Sequence, residues 1–245
     1  MRVGRGRWWY HAGMVTNPSN VRDTPRTVDD DDVSFFGQAV WRAMVVPLGM
    51  MGIYALCGVM TRNASGVGRM HFGVEEGIPL VAWFVVPYLS VDVWLVLAFF
   101  LCRDRGALWR LTLALVCGSV LCGAGFLAWP MSPAYADVPA SGWCGWVLEA
   151  IRTVGYPHNR IPSLHVVVTL LIWPVCVGVR WVPLKVLVHI WFGLMLASVL
   201  LTHQHHVMDV AGGMVVAAVA AGVARLVYRK RGGVRSGSRA AELRA

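Results

Sequence analysis

Six apolar runs, near residues 39–60, 79–101, 107–129, 163–179, 183–202 and 209–228, constrain this chain more than any other feature. A helix needs roughly 20 residues to cross the hydrocarbon core of a bilayer. The fourth run is the shortest of the six. Lipid offers no hydrogen bonds to backbone N–H and C=O groups, so a spanning run must satisfy its own as an α-helix. The expectation is an all-α, polytopic membrane protein: a six-transmembrane-helix bundle over 39–228, between an N-terminal tail at 1–38 and a basic tail at 229–245. The chain is 57% apolar and only 14% charged, where a soluble domain is nearer a quarter charged.

The net charge of +9 comes almost entirely from arginine. In a soluble protein it would suggest nucleic acid. Here the basic residues lie in short loops and tails, where topology and anionic headgroups account for them, so no nucleic-acid partner is expected. Arg2, Arg5, Arg7, Arg22 and Arg26 precede the first run. Arg103, Arg105 and Arg110 flank the second turn, and Arg180 and Lys185 the fourth. Six more fill the C-terminal tail. The alternate loops hold only Arg62, Arg69, Arg152 and Arg160, a bias of sixteen to four. Both termini are therefore expected in the cytoplasm, with the loops at 61–78, 130–162 and 203–208 outside a cell membrane.

The long outer loop has helical order of its own. Trp143, Trp146, Val147, Ala150, Ile151 and Val154 recur at i, i+3, i+4 and i+7, which predicts an interfacial helix before the fourth span. The acidic run Asp29–Asp32 reads as a solvated linker and the C-terminal tail as disordered. Six scattered cysteines form no CxxC pair and read as packing residues. Glu75 and Glu76 are expected at the outer surface ahead of the second run, with contact to a headgroup hydroxyl as the alternative. His189, mid-run, reads as a packing histidine. Asp92 lies inside the second run, where a charge is costly unless it meets the bundle interior or a wet cavity. It could serve as a structural hydrogen-bond partner or as a substrate contact.

The chemistry concentrates between Asn159 and Asp209. NRIPSLH (Asn159–His165) opens one apolar run, and after a basic turn the next run closes on THQHHVMD (Thr202–Asp209). A helical hairpin returns both motifs to one membrane face. Asp209 follows His205 by four residues, so a carboxylate stacks beside an imidazole if the helix is continuous there. Phosphoryl transfer through a covalent intermediate needs a nucleophile, a group that orients it, an acid for the leaving alkoxide and donors for phosphate oxygens. His205 and Asp209 fit the first two needs, and His165 fits the third. Ser163 beside a helix start, Arg160 and His203 fit the fourth. Alone, SLH would be an interfacial cap. His203, His205 and His206 could be read as a metal site, but no second cluster of ligands stands at suitable spacing, and no metal or cofactor is expected.

PSLH followed about forty residues later by HxxxD resembles motifs two and three of the type 2 phosphatidic acid phosphatase superfamily. NRIPSLH with THQHHVMDVAGG is most similar to its inositol phosphorylceramide synthase branch, over roughly residues 75–228. The resemblance implies a six-span core and a metal-independent membrane phosphatase or phosphotransferase acting on a lipid phosphate or phospholipid. His205 would form a phosphohistidine, Asp209 would support it, and His165 would be the general acid. Ser163 and the Leu164 amide would hold phosphate. The chain departs from the pattern in three places. Leu164 stands where soluble-type members have Gly, Val199 follows Ser198 where an Arg is usual, and no Lys with a later Arg-Pro precedes PSLH. Arg160 is the substitute cation. His203 stands where this branch often has Lys.

Water as acceptor gives a phosphatase, and a lipid hydroxyl gives a headgroup transferase. The motifs are common to both. A non-enzymatic transporter would instead spread ionisable residues through its span interiors, whereas here they cluster at one surface.

Overall fold

Local signals in the sequence start and stop the helices. In the computed structural model, which describes residues 28–65, 67–135 and 140–242, seven α-helices follow in chain order. They are α1 (Val28–Thr61), α2 (Val85–Phe100), α3 (Arg105–Ala128), α4 (Gly142–Val154), α5 (Leu164–Cys176), α6 (Val182–Leu201) and α7 (Val207–Glu242). The Asp104 carboxylate caps α3 by accepting the Ala107 N–H at 2.7 Å, and Ser163 caps α5 through Val166. Pro183 sits in the first turn of α6, where a missing N–H costs nothing. Two short 3-10 turns, Gly73–Gly77 and Ala82–Phe84, lead into α2. Among the described residues there is no strand beyond one isolated bridge between Gly68 and Met131.

Five helical stretches, not six, are long and apolar enough to cross a membrane: Val33–Thr61, Ala82–Phe100, Arg105–Ala128, Val182–Leu201 and Val207–Arg231. The fourth expected span, 163–179, is the 13-residue helix α5. At about 1.5 Å per residue it extends roughly 20 Å, against a core of about 30 Å. Its neighbours explain why it can be short. Helices α2, α3, α6 and α7 all pack on α5, and Val166, Val167 and Ile172 are 0–1% exposed. It is the centre of the bundle.

Helix α1 begins at Val28, so the backbone of the acidic run is helical rather than a linker, and α7 continues to Glu242 through the stretch expected to be disordered. The expected tail lies outside the described residues up to position 27. All six cysteines are unpaired, five of them buried. The expected helix over 143–154 is α4, which exposes Trp143 and Trp146 and buries Leu148 beside Val85. His189 bonds its own helix at the Lys185 carbonyl and lies edge-on to Trp173.

Candidate active site

The α5–α6 hairpin brings the two histidine motifs together, with ring centroids of His165 and His205 6.1 Å apart. Main-chain bonds hold the join. The Ser163 N–H donates to the Asp209 carbonyl at 2.9 Å, and the His205 N–H to the Val199 carbonyl at 3.0 Å. Glycine makes this approach possible: a Cβ at Gly213 would lie 2.8 Å from the Ser163 carbonyl oxygen and 2.9 Å from the Val166 Cβ.

Asp209 Oδ2 lies 3.3 Å from His205 Nδ1 and accepts the His206 backbone N–H at 2.9 Å. An ionised carboxylate only accepts, so in a neutral His205 imidazole Nδ1 carries the hydrogen and Nε2 the lone pair. His165 Nδ1 meets the hydroxyl of Tyr88 at 3.3 Å, and the two rings stack. A hydroxyl both donates and accepts, so this contact suits either protonation state of His165 and leaves Nε2 for a ligand.

Both histidines line a cavity of about 870 Å³, near the top of the roughly 300–1,000 Å³ usual for ligand sites. Arg160, Arg152, Leu164, His203 and Gln204 line the same end, and the cavity runs down between α1 and α2 past Met50 and Leu95. The Arg160 guanidinium donates to the carbonyls of Pro157 and Gln204. Burial pulls its pKa below the ordinary arginine value, and the nearby Asp209 carboxylate opposes that shift. Arg152, on α4, lies 3.5 Å from Glu149 and adds a second cation to this wall.

Ser163 lies apart from Arg160, whereas His203 shares the cavity lining with it. Ser163 is fully buried and its hydroxyl caps α5, so it lies under the cavity wall rather than in it. Leu164 does line the cavity, and its N–H belongs to the first helical turn, which has no partner within the helix. His203 has a left-handed backbone, φ 55°, and its Nε2 meets the Ile78 carbonyl at 3.0 Å. Burial pushes its pKa down, the Ile78 contact opposes this, and the Arg152 charge adds to it. Its Nδ1 is buried and has no partner among the described residues.

A second cluster lies behind the first. Glu75, expected at the surface, is 1% exposed. Its Oε2 sits 2.5 Å from His206 Nδ1, while His206 Nε2 accepts the Ala134 N–H at 3.0 Å. That second bond places the hydrogen of a neutral His206 on Nδ1, donating to Glu75. Tyr135 stacks on His203 and on His206, at 4.0 and 4.3 Å between centroids, and its hydroxyl donates to Glu75. Two outer segments, around Glu75 and at Ala134–Tyr135, are thereby fastened to the residue next to His205. Among the described residues, no three His, Cys, Asp or Glu side chains converge as a metal site.

Residues 69–223 match the family model described as the PAP2 superfamily. The chain belongs to the PAP2 superfamily. No curated protein and no solved structure matches it. Members of the PAP2 superfamily are phosphatase-type enzymes, and the matched residues contain both histidine motifs of this member. Several residues around its PAP2 motifs escape a reading of the sequence. Tyr88 is hidden in an apolar helix, and Glu75 acts 131 positions from its partner His206. Arg152 had a usable signal, as a basic residue on an interfacial helix just upstream of NRIPSLH.

Proposed function

We propose that this PAP2 protein is a membrane lipid phosphate phosphatase or phosphotransferase that works through a phosphohistidine on His205. The observation that carries the reading is the pairing of His205, oriented by Asp209, with His165 across one cavity whose lower part is apolar. His205 Nε2 attacks phosphorus with its lone pair, and the bond from phosphorus to the lipid oxygen breaks. That oxygen takes a proton from His165 Nε2. The Asp209 carboxylate offsets the positive charge that the phosphorylated imidazole gains. Water then attacks the phosphorus and gives a proton back to His165, the P–N bond breaks, and phosphate leaves. A lipid hydroxyl in place of water completes the same cycle as a headgroup transfer.

Arg160 and Arg152, with the first-turn N–H groups of α5, are the donors in position for phosphate oxygens. His203, committed to Ile78 and Tyr135, shapes the wall beside them. The basic-residue distribution supports cytoplasmic termini and an extracytoplasmic site in the cell membrane. Similarity of the motifs to the inositol phosphorylceramide synthase branch favours testing lipid acceptors alongside water.

The test is phosphate release from a panel of lipid phosphates by purified protein in EDTA, with and without ceramide or diacylglycerol as acceptor. Release that is lost in both His205→Ala and His165→Ala, with an acid-labile phosphoenzyme in the wild type, is the expected result. New phospholipid formed without free phosphate identifies a transferase. Release retained by His205→Ala would overturn the phosphohistidine.

A further inference from the structure

The cavity contains one charged group that the phosphoryl chemistry does not use. Asp92 lies on α2 one turn below Tyr88, and it lines the cavity among Met50, Met51, Leu89 and Leu95. One turn is about 5.4 Å along the axis. Since the Tyr88 ring stacks on His165, Asp92 follows one helical turn along α2 from the residue that meets the reacting end. Among the described residues Asp92 has no hydrogen-bond or ion-pair partner, and the nearby polar side chains are engaged elsewhere. Ser90 accepts from Trp191 and donates to Pro87, and Asn159 donates to the Tyr54 carbonyl. Asp92 is exposed and lines the cavity, where water or a ligand can satisfy a carboxyl that is otherwise costly at this depth, and among the described residues no protein group is placed for it to hold.

We infer that Asp92 is a second polar subsite, which selects lipid phosphates whose backbone carries an O–H or N–H donor a few bonds below the phosphate. A carboxylate accepts and cannot donate. A diacylglycerol phosphate offers it only ester oxygens, and a simple alkyl or polyprenyl phosphate offers it nothing. A lipid with a free hydroxyl, amide or amine next to the phosphorylated carbon can satisfy it while its chain follows the apolar wall toward Met50 and Leu95. This inference rests on the phosphoryl site being at His165 and His205.

The experiment uses three single-chain probes of equal length: octadecyl phosphate, its 3-hydroxy analogue and its 2-amino-3-hydroxy analogue. Phosphate release is measured for wild type, Asp92→Asn and Asp92→Leu. Binding of the three corresponding dephosphorylated lipids is followed in parallel by thermal unfolding in detergent. The wild type should favour the donor-bearing probes by about ten- to a hundredfold in kcat/KM, the usual worth of a hydrogen bond to a charged group. That ratio should fall close to one in Asp92→Leu and partway in Asp92→Asn, whose amide oxygen still accepts. The amine arm separates charge pairing from simple donation. Equal kcat/KM for all probes in the wild type, or a preference that survives Asp92→Leu, overturns the subsite and leaves the phosphohistidine reading standing. Asp92-dependent binding of the donor-bearing lipids without any phosphate release does the reverse. If Asp92→Leu fails to fold, the Asp92→Asn ratio decides, and an undiminished preference there counts against the subsite.

Discussion

Tyr88 lies nearly flat against His165, with ring centroids 4.1 Å apart and planes 20° apart, and its hydroxyl stands 3.3 Å from Nδ1. One side chain thus sets both the tilt of the imidazole and the partner of its inner nitrogen. Tyr88→Phe keeps the stack and removes the hydrogen bond, a net contribution of about 0.5–1.5 kcal/mol. We expect kcat to fall about two- to thirteenfold with little change in Tm. Steady-state kinetics beside a thermal melt check this. A large loss of Tm would mean that the hydroxyl is chiefly structural.

Asp209→Asn tests the tautomer of His205. The amide nitrogen can donate to Nδ1, which would move the imidazole hydrogen to Nε2 and block attack. The loss should approach the roughly 10⁴-fold seen when the analogous carboxylate of a serine-protease triad becomes an amide. Burst-phase labelling should show less phosphoenzyme rather than slower breakdown of a normal amount.

The Glu75–His206 pair is a buried fastening, at 1% and 4% side-chain exposure. Removing one partner of such a pair usually costs about 3–5 kcal/mol, because the other is left buried and unpaired. Glu75→Ala and His206→Ala should each lower Tm clearly, and the double variant should be less unstable than their sum. Additive losses in the double-mutant cycle would show that the two side chains act separately.

Gly213 faces the Ser163 carbonyl with no room for a methyl group, whereas Gly222 has nothing within 4 Å of its would-be Cβ. Gly213→Ala should cost about 1–3 kcal/mol, typical of overpacking, and should depress activity by separating the two motifs. Gly222→Ala, on the same helix, is the control and should be neutral or slightly stabilising. Parallel melts and assays of the two variants decide.

His203 gives a pH signature. Burial lowers its pKa below the ordinary 6.5 in the folded protein. Between that lowered value and about 6.5 the unfolded chain binds the extra proton, so acid favours unfolding there. The contribution is fully present above about pH 6.5 and is lost as pH falls through the folded pKa. The Tm of wild type should therefore drop more steeply than that of His203→Gln between pH 6.5 and 5. Parallel curves would remove His203 from the pH response.

The hairpin, the two histidine motifs and the helix at Gly142–Val154 were legible in the sequence because each rests on local spacing. The role of α5 was not. An apolar run reads alike whether it faces lipid or four neighbouring helices, so 163–179 looked like a full-length, lipid-facing span, whereas its helix is 13 residues long and packed among four others. Glu75 looked exposed because its partner, His206, lies far along the chain in a motif whose own spacing already suggested chemistry. Tyr88 and Asp92 share one face of α2, yet nothing in a mostly apolar helix reveals which face meets a cavity until α1 and α4 are placed against it.

The backbone bond between Ser163 and Asp209 joins the two motifs without recourse to any side chain. Main chain thus holds the α5–α6 hairpin frame together, while α2 supplies both Tyr88 beside His165 and, with α1, the lower wall of the cavity. A change in α2 therefore reaches the wall that meets the lipid chain and, through Tyr88, the imidazole above it.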